Sequence, residues 1–103
     1  MNNRFGITEK SYNYIVSYLK TNPNIEKVIL FGSRAKGNYK NGSDIDLAIK
    51  GERCSPELAI DIESYINEVI PVPYTVDVVD YNSLKKKELK EHIDRVGVLF
   101  YQN

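Results

Sequence analysis

Apolar and polar positions recur along this chain in two periods, and together they lay out the elements. Tyr12, Ile15, Val16 and Leu19 fall at i, i+3, i+4 and i+7, the spacing of one apolar helix face. Thr8 suits the N-cap of that helix and Glu9 its first turn, and Asn22-Pro23-Asn24 stops it. Ile25 to Phe31 predicts a strand, with Val28-Ile29-Leu30-Phe31 as its buried apolar run. Ser33 to Lys36 predicts a short helix ended by Gly37, and Asn41-Gly42 marks a turn. Ser43 to Ile49 alternates strictly, with Ile45, Leu47 and Ile49 on one face of a strand. Ser55, Pro56 and Glu57 open a second main helix. Leu58, Ile62, Tyr65, Ile66 and Val69 give its buried face, and Asp61, Glu63, Asn67 and Glu68 its solvated side. Tyr74 to Val79 predicts a third strand. Ser83 to Asp94 predicts a last helix, with Leu89, Ile93 and Val96 on one face and Gly97 as its cap. Val98 to Tyr101 predicts a final strand. Met1 to Gly6 is polar and expected to be loose.

Helices alternating with strands predict an α/β fold, a mixed sheet with helices packed against it, over a single domain spanning residues 1–103. Composition adds exclusions. Fourteen basic and fourteen acidic residues cancel, which argues against coating a polyanion through bulk charge, so bulk nucleic-acid binding is not expected. Lys85-Lys86-Lys87 reads as a solvated face. No apolar run approaches the ~18 residues of a membrane span. The single cysteine, Cys54, cannot form an internal disulfide, and no signal peptide opens the sequence; both predict a reducing, cytoplasmic setting. No thiol chemistry is expected of Cys54. His92, the only histidine, has no companions for a triad or a metal. Homo-oligomer formation is left open.

The chemistry concentrates between Val28 and Lys50. Asp44 and Asp46 fall on the strand face opposite Ile45, Leu47 and Ile49, with Cβ atoms roughly 7 Å apart. Two carboxylates at that range repel by about 2–3 kcal/mol at an effective dielectric near 20. A divalent cation is the natural counter-charge, since hard cations take carboxylate oxygens. A bare Asp-x-Asp also fits a strand with one solvated face. Gly32-Ser33, at the end of the first strand, adds a turn where backbone can approach a ligand closely. Gly32 and Gly37 have the outer spacing of a P-loop, but Asn38 and Tyr39 follow where Lys and Ser/Thr are needed. Asp77, bracketed by Val76 and Val78, is unexpected inside a β-branched run. Were its strand beside the second one, Asp77 would join Asp44 and Asp46. Asp80 has the opposite parity and reads as a turn or cap residue.

The pattern GSRAKG, then GSDIDL, resembles the signature of the nucleotidyltransferase superfamily, and in particular its minimal, polymerase-beta-like members. The resemblance extends over nearly the whole chain and implies the nucleotidyltransferase fold. It implies a magnesium-dependent reaction, with two ions, in which a hydroxyl attacks the α-phosphate of ATP or another nucleoside triphosphate. It gives Asp44, Asp46 and Asp77 the catalytic, metal-holding role, and Gly32, Ser33 and Arg34 the binding of the β- and γ-phosphates. Lys36, close to the same turn, has two readings from the residues alone, a charge that helps neutralise a triphosphate and a solvated surface lysine. Larger relatives add a helical domain for the acceptor. The resemblance therefore implies a partner, a helical HEPN protein, with this chain as a type VII-like antitoxin that transfers AMP to a toxin tyrosine. Two alternatives remain: a non-enzymatic module that neutralises a toxin by covering it, and a transferase acting on RNA ends or a small molecule.

Overall fold

The computed structural model describes residues 5–103. Its elements run in the order α1 (Glu9–Leu19), β1 (Lys27–Phe31), α2 (Gly32–Lys36), β2 (Ile45–Lys50), α3 (Pro56–Glu68), β3 (Val76–Asp80), a 3-10 turn (Tyr81–Ser83), α4 (Lys87–Val96) and β4 (Val98–Gln102). The strands form one mixed sheet in the order β3-β2-β1-β4. β1 is antiparallel to β2 and β4, and β2 is parallel to β3. A parallel neighbour requires a crossover, and α3 supplies it.

Alternation along the strands divides the sheet's two faces. Val28, Leu30, Ile45, Leu47, Ile49, Val76 and Val78 pack on one side with Ile15 and Leu19 of α1 and Ala59, Ile62 and Ile66 of α3. Phe31, Ala48, Ile29 and Val79 lie on the other, covered by Leu89, Ile93 and Val96 of α4. The helix starts follow the local chemistry. Thr8 Oγ1 accepts the Ser11 N–H at 3.2 Å, and Ser55 Oγ accepts that of Leu58 at 3.1 Å, each satisfying a first-turn donor.

Several expectations are corrected. Of the start expected to be loose, Met1 to Arg4 lie outside the described residues, but Phe5 is buried in the main core. The last helix does not begin at Ser83. Asp80 Oδ2 accepts the Ser83 hydroxyl at 2.6 Å and holds a 3-10 turn, Leu84 runs extended into the second cluster, and α4 starts at Lys87. Tyr65 and Val69 are 42% and 56% exposed instead of buried, because the face that meets the sheet is the one carrying Ala59, Ile62 and Ile66; Tyr65 stacks on Tyr18 of α1 at 4.2 Å. Glu63 and Asn67, expected to be solvated, instead seal the outer edge of β3. Asn67 exchanges two hydrogen bonds with the Val76 backbone, both 2.9 Å, and Glu63 Oε1 accepts the Val78 N–H at 2.7 Å. They satisfy edge groups that would otherwise pair with another strand.

Candidate active site

The site is assembled at one end of the sheet, where β1 runs into α2 and β2 begins. In the β1–β2 ladder Phe31 pairs with Asp46, so the residue after Phe31 starts beside that aspartate. That residue is Gly32. Its φ of +75° lies in the left-handed region that glycine alone enters freely. A Cβ there would run into Asp46 Oδ2 and stand 3.2 Å from Asp46 Cγ. Only a residue without a side chain lets the Gly-Ser turn close against the carboxylate. Ser33 follows in the first turn of α2, whose early N–H groups have no intrahelical acceptor. Gly37, at φ +85°, ends this helix, with its N–H on Ser33 O at 3.0 Å.

The parallel pair β2–β3 brings in the third acid. Asp46 pairs with Asp77 in register, and both stand on the face of the sheet that carries Ala48 and Val79. Asp44 precedes the first paired residue of β2 and is exposed, as is Asp77, whereas Asp46 is half-buried. The three carboxylates feel one another. Burial, then Asp77, then Asp44 push Asp46 up to about 6 from 3.8. Burial first, with Asp44 and Glu63 adding repulsion, also raises Asp77. Asp80 points away. It is buried on the opposite parity, and its carboxylate is engaged by Ser83.

Hard oxygen donors under mutual repulsion fit a divalent cation better than any other ligand in reach. Among the described residues no three His, Cys, Asp or Glu side chains are already gathered into a cage. Asp44, Asp46 and Asp77 are the ones that would hold such an ion.

Arg34 takes a different place from the one its sequence neighbours imply. It is 3% exposed. Nε and Nη2 donate to the Ser43 carbonyl at 3.1 and 2.8 Å, and Nη1 donates to the Phe5 carbonyl at 2.9 Å. Its guanidinium also lies over the rings of Tyr39 and Tyr74, at 5.1 and 5.0 Å. A charge so enclosed has its fork committed to backbone and aromatic faces, not to a triphosphate. It clamps the residue just before Asp44 to the body of the domain. Lys36 is exposed. His92, for which no role is expected from its neighbours along the chain, accepts the Gly32 N–H through Nε2 at 3.3 Å. Its only sequence signal is its position one residue before the buried Ile93. Cys54 donates to the Asn24 carbonyl at 3.5 Å, and burial, with Asp80 and Glu26, raises its thiol, so little thiolate forms.

A family model described as polymerase beta, nucleotidyltransferase, matches residues 13–103. The chain belongs to this nucleotidyltransferase family. Solved structures place it further by fold. One chain of a toxin–antitoxin crystallised with AMP-PNP superposes with a TM-score of 0.72 at 23% identity, covering 89% of this chain and 73% of that one. A chain of the MntA–HepT toxin–antitoxin gives 0.59 at 24%, covering 92% and 73%. A chain from the complex of tri-AMPylated Shewanella oneidensis HEPN toxin with its MNT antitoxin gives 0.60 at 23%, covering 92% and 72%. No curated protein matches the sequence. At these identities the likeness establishes a minimal nucleotidyltransferase fold. Among the described residues no helix is long and apolar enough to cross a membrane.

Proposed function

We propose that this nucleotidyltransferase transfers AMP from ATP to a hydroxyl of a protein partner, a tyrosine of a HEPN-type toxin, and thereby acts as its antitoxin. The observation that carries the chemistry is the position of Asp46, flanked by Asp77 across the β2–β3 register and by Gly32 of the turn. The observation that favours this acceptor is the likeness to toxin–antitoxin structures, among them one with AMP-PNP and one with an AMPylated HEPN toxin.

Asp44, Asp46 and Asp77 would hold magnesium ions, two in the full reaction. Once bound, the cations neutralise charge on the phosphates and ease ionisation of the attacking hydroxyl. Gly32 and Ser33 would receive the β- and γ-phosphates, Gly32 by letting them approach the backbone closely and Ser33 through its N–H and hydroxyl. The acceptor oxygen bonds to the α-phosphorus, the bond from that phosphorus to the β-phosphate bridging oxygen breaks, and pyrophosphate leaves. Asp77 would take the acceptor's proton as the new bond forms. Arg34 would contribute by fixing the segment that carries Asp44.

Incubation with labelled ATP, Mg²⁺ and the HEPN protein of the same organism tests the reading. Label on a partner tyrosine, lost in a D44N/D46N double variant, is the expected result. A stable complex without label contradicts it. Neutralisation of the toxin by the double variant would instead favour a module that works by covering its partner.

A further inference from the structure

We infer that His92 is a positioning residue for nucleotide binding: it holds the Gly-Ser turn in place from α4. The inference rests on the nucleotidyl-transfer reading and names a part of that site outside the acid cluster and the turn themselves. α2 is one turn long, and its N-cap, Phe31, offers no side-chain hydrogen bond to the helix. The first N–H of such a helix needs an acceptor from elsewhere. His92 supplies it across 60 residues of sequence, with Nε2 accepting from Gly32 N at 3.3 Å. Accepting through Nε2 requires the neutral ring with its proton on Nδ1.

The imidazole is itself held. It meets the Phe31 ring edge to face, with centroids 6.1 Å apart and planes at 82°. The next residue, Ile93, is buried with Phe31 and Ala48, and Leu89 and Val96 pack on the same cluster. Gly32 is thus fixed from two sides, by Asp46 where a Cβ would stand and by His92 at its N–H. With the 31–32 peptide plane fixed, the backbone enters the Ser33 turn from a defined starting point. A histidine that merely fills a core would have no reason to direct its acceptor at the main chain of this turn. α4 therefore contributes to the site through a main-chain contact, although none of its residues belongs to the acid cluster.

The test is binding of Mg·AMP-PNP by calorimetry to wild type, His92→Ala and His92→Gln, each first shown to be folded by thermal denaturation. Glutamine can present an amide oxygen close to the position of Nε2. H92A should weaken nucleotide binding by about three- to ten-fold, the worth of one net hydrogen bond. H92Q should recover most of that loss, and Mn²⁺ binding without nucleotide should be the same in all three. H92A binding like wild type overturns the inference. So does an H92Q as weak as H92A, which would reduce His92 to ring packing against Phe31. A wild type that binds Mn²⁺ but no nucleotide defeats the nucleotidyl-transfer reading instead. Amide exchange at Gly32, faster in H92A than in wild type, then still reports whether His92 holds the turn.

Discussion

Asp46 stands directly across from Asp77 in the parallel ladder between β2 and β3. Two carboxylates facing each other on one side of a sheet raise the free energy of the metal-free fold, and the effect can be measured through pH. Asp46 titrates near 6 in the folded protein against 3.8 as its ordinary value. Between those two pH values the native state binds more protons than the unfolded chain, so stability falls as pH rises through the window. Because Asp46 is only half-buried, screening limits the loss to on the order of 1 kcal/mol. Urea denaturation in EDTA should show this fall from pH 4 to pH 6.5, over and above the gains from other groups, as a difference between wild type and D46N.

Added Mg²⁺ should reverse the sign at that site. Magnesium binding requires ionised carboxylates, so the stabilisation by millimolar Mg²⁺ should be larger at pH 7.5 than at pH 5. Wild type should gain in thermal midpoint at pH 7.5, and the D44N/D46N variant should not. Equal gains in both would place the cation elsewhere.

Single substitutions of Asp44, Asp46 or Asp77 by Asn should each lower AMP transfer at least about a hundred-fold while leaving the fold intact, since each removes a charge that the metal must balance. D46N and D77N should also be slightly more stable than wild type without metal. Steady-state transfer rates and urea midpoints on the same preparations would check both halves.

Gly32→Ala should cost about 2 kcal/mol or more in stability. A φ of +75° costs an alanine about 1–2 kcal/mol, and its methyl would displace the Asp46 carboxylate. Loss of nucleotide affinity without loss of stability would show that the turn relaxes more freely than this geometry allows.

Arg34→Ala and Arg34→Lys separate two roles for this side chain. With its guanidinium on the Ser43 and Phe5 carbonyls, R34A should destabilise the fold by about 2–4 kcal/mol. R34K should recover little, because an ammonium cannot reproduce the fork. A phosphate-binding arginine would instead leave stability unchanged and raise KM for ATP.

Much of this geometry can be read along the chain, for identifiable reasons. Strand parity alone puts Asp44 with Asp46, separates Asp77 from Asp80, and assigns Ile45, Leu47 and Ile49 to the core. Gly32-Ser33 and Gly37 sit where a turn and a short helix require them. The late start of α4 has a local cause, Ser83 on Asp80, but Arg34, Glu63, Asn67 and His92 each depend on a contact further off in sequence. Arg34 follows the Gly-Ser turn and so looks like a phosphate ligand, but its acceptors lie 9 and 29 residues away. Glu63 and Asn67 occupy the polar side of an amphipathic helix, and nothing local shows that β3 is an edge strand needing their side chains. His92 looks isolated because its partner is a main-chain N–H rather than another chemistry-bearing side chain.

The topology also bears on how the domain comes together. β1, α2 and β2 are consecutive, and their antiparallel pairing closes a short loop, which forms quickly because little chain entropy is lost. Asp77 arrives only after α3 has crossed over and β3 has docked parallel to β2, a slower, non-local step. Cation affinity should therefore emerge late in refolding, after the Gly-Ser turn and its first two aspartates are already in place.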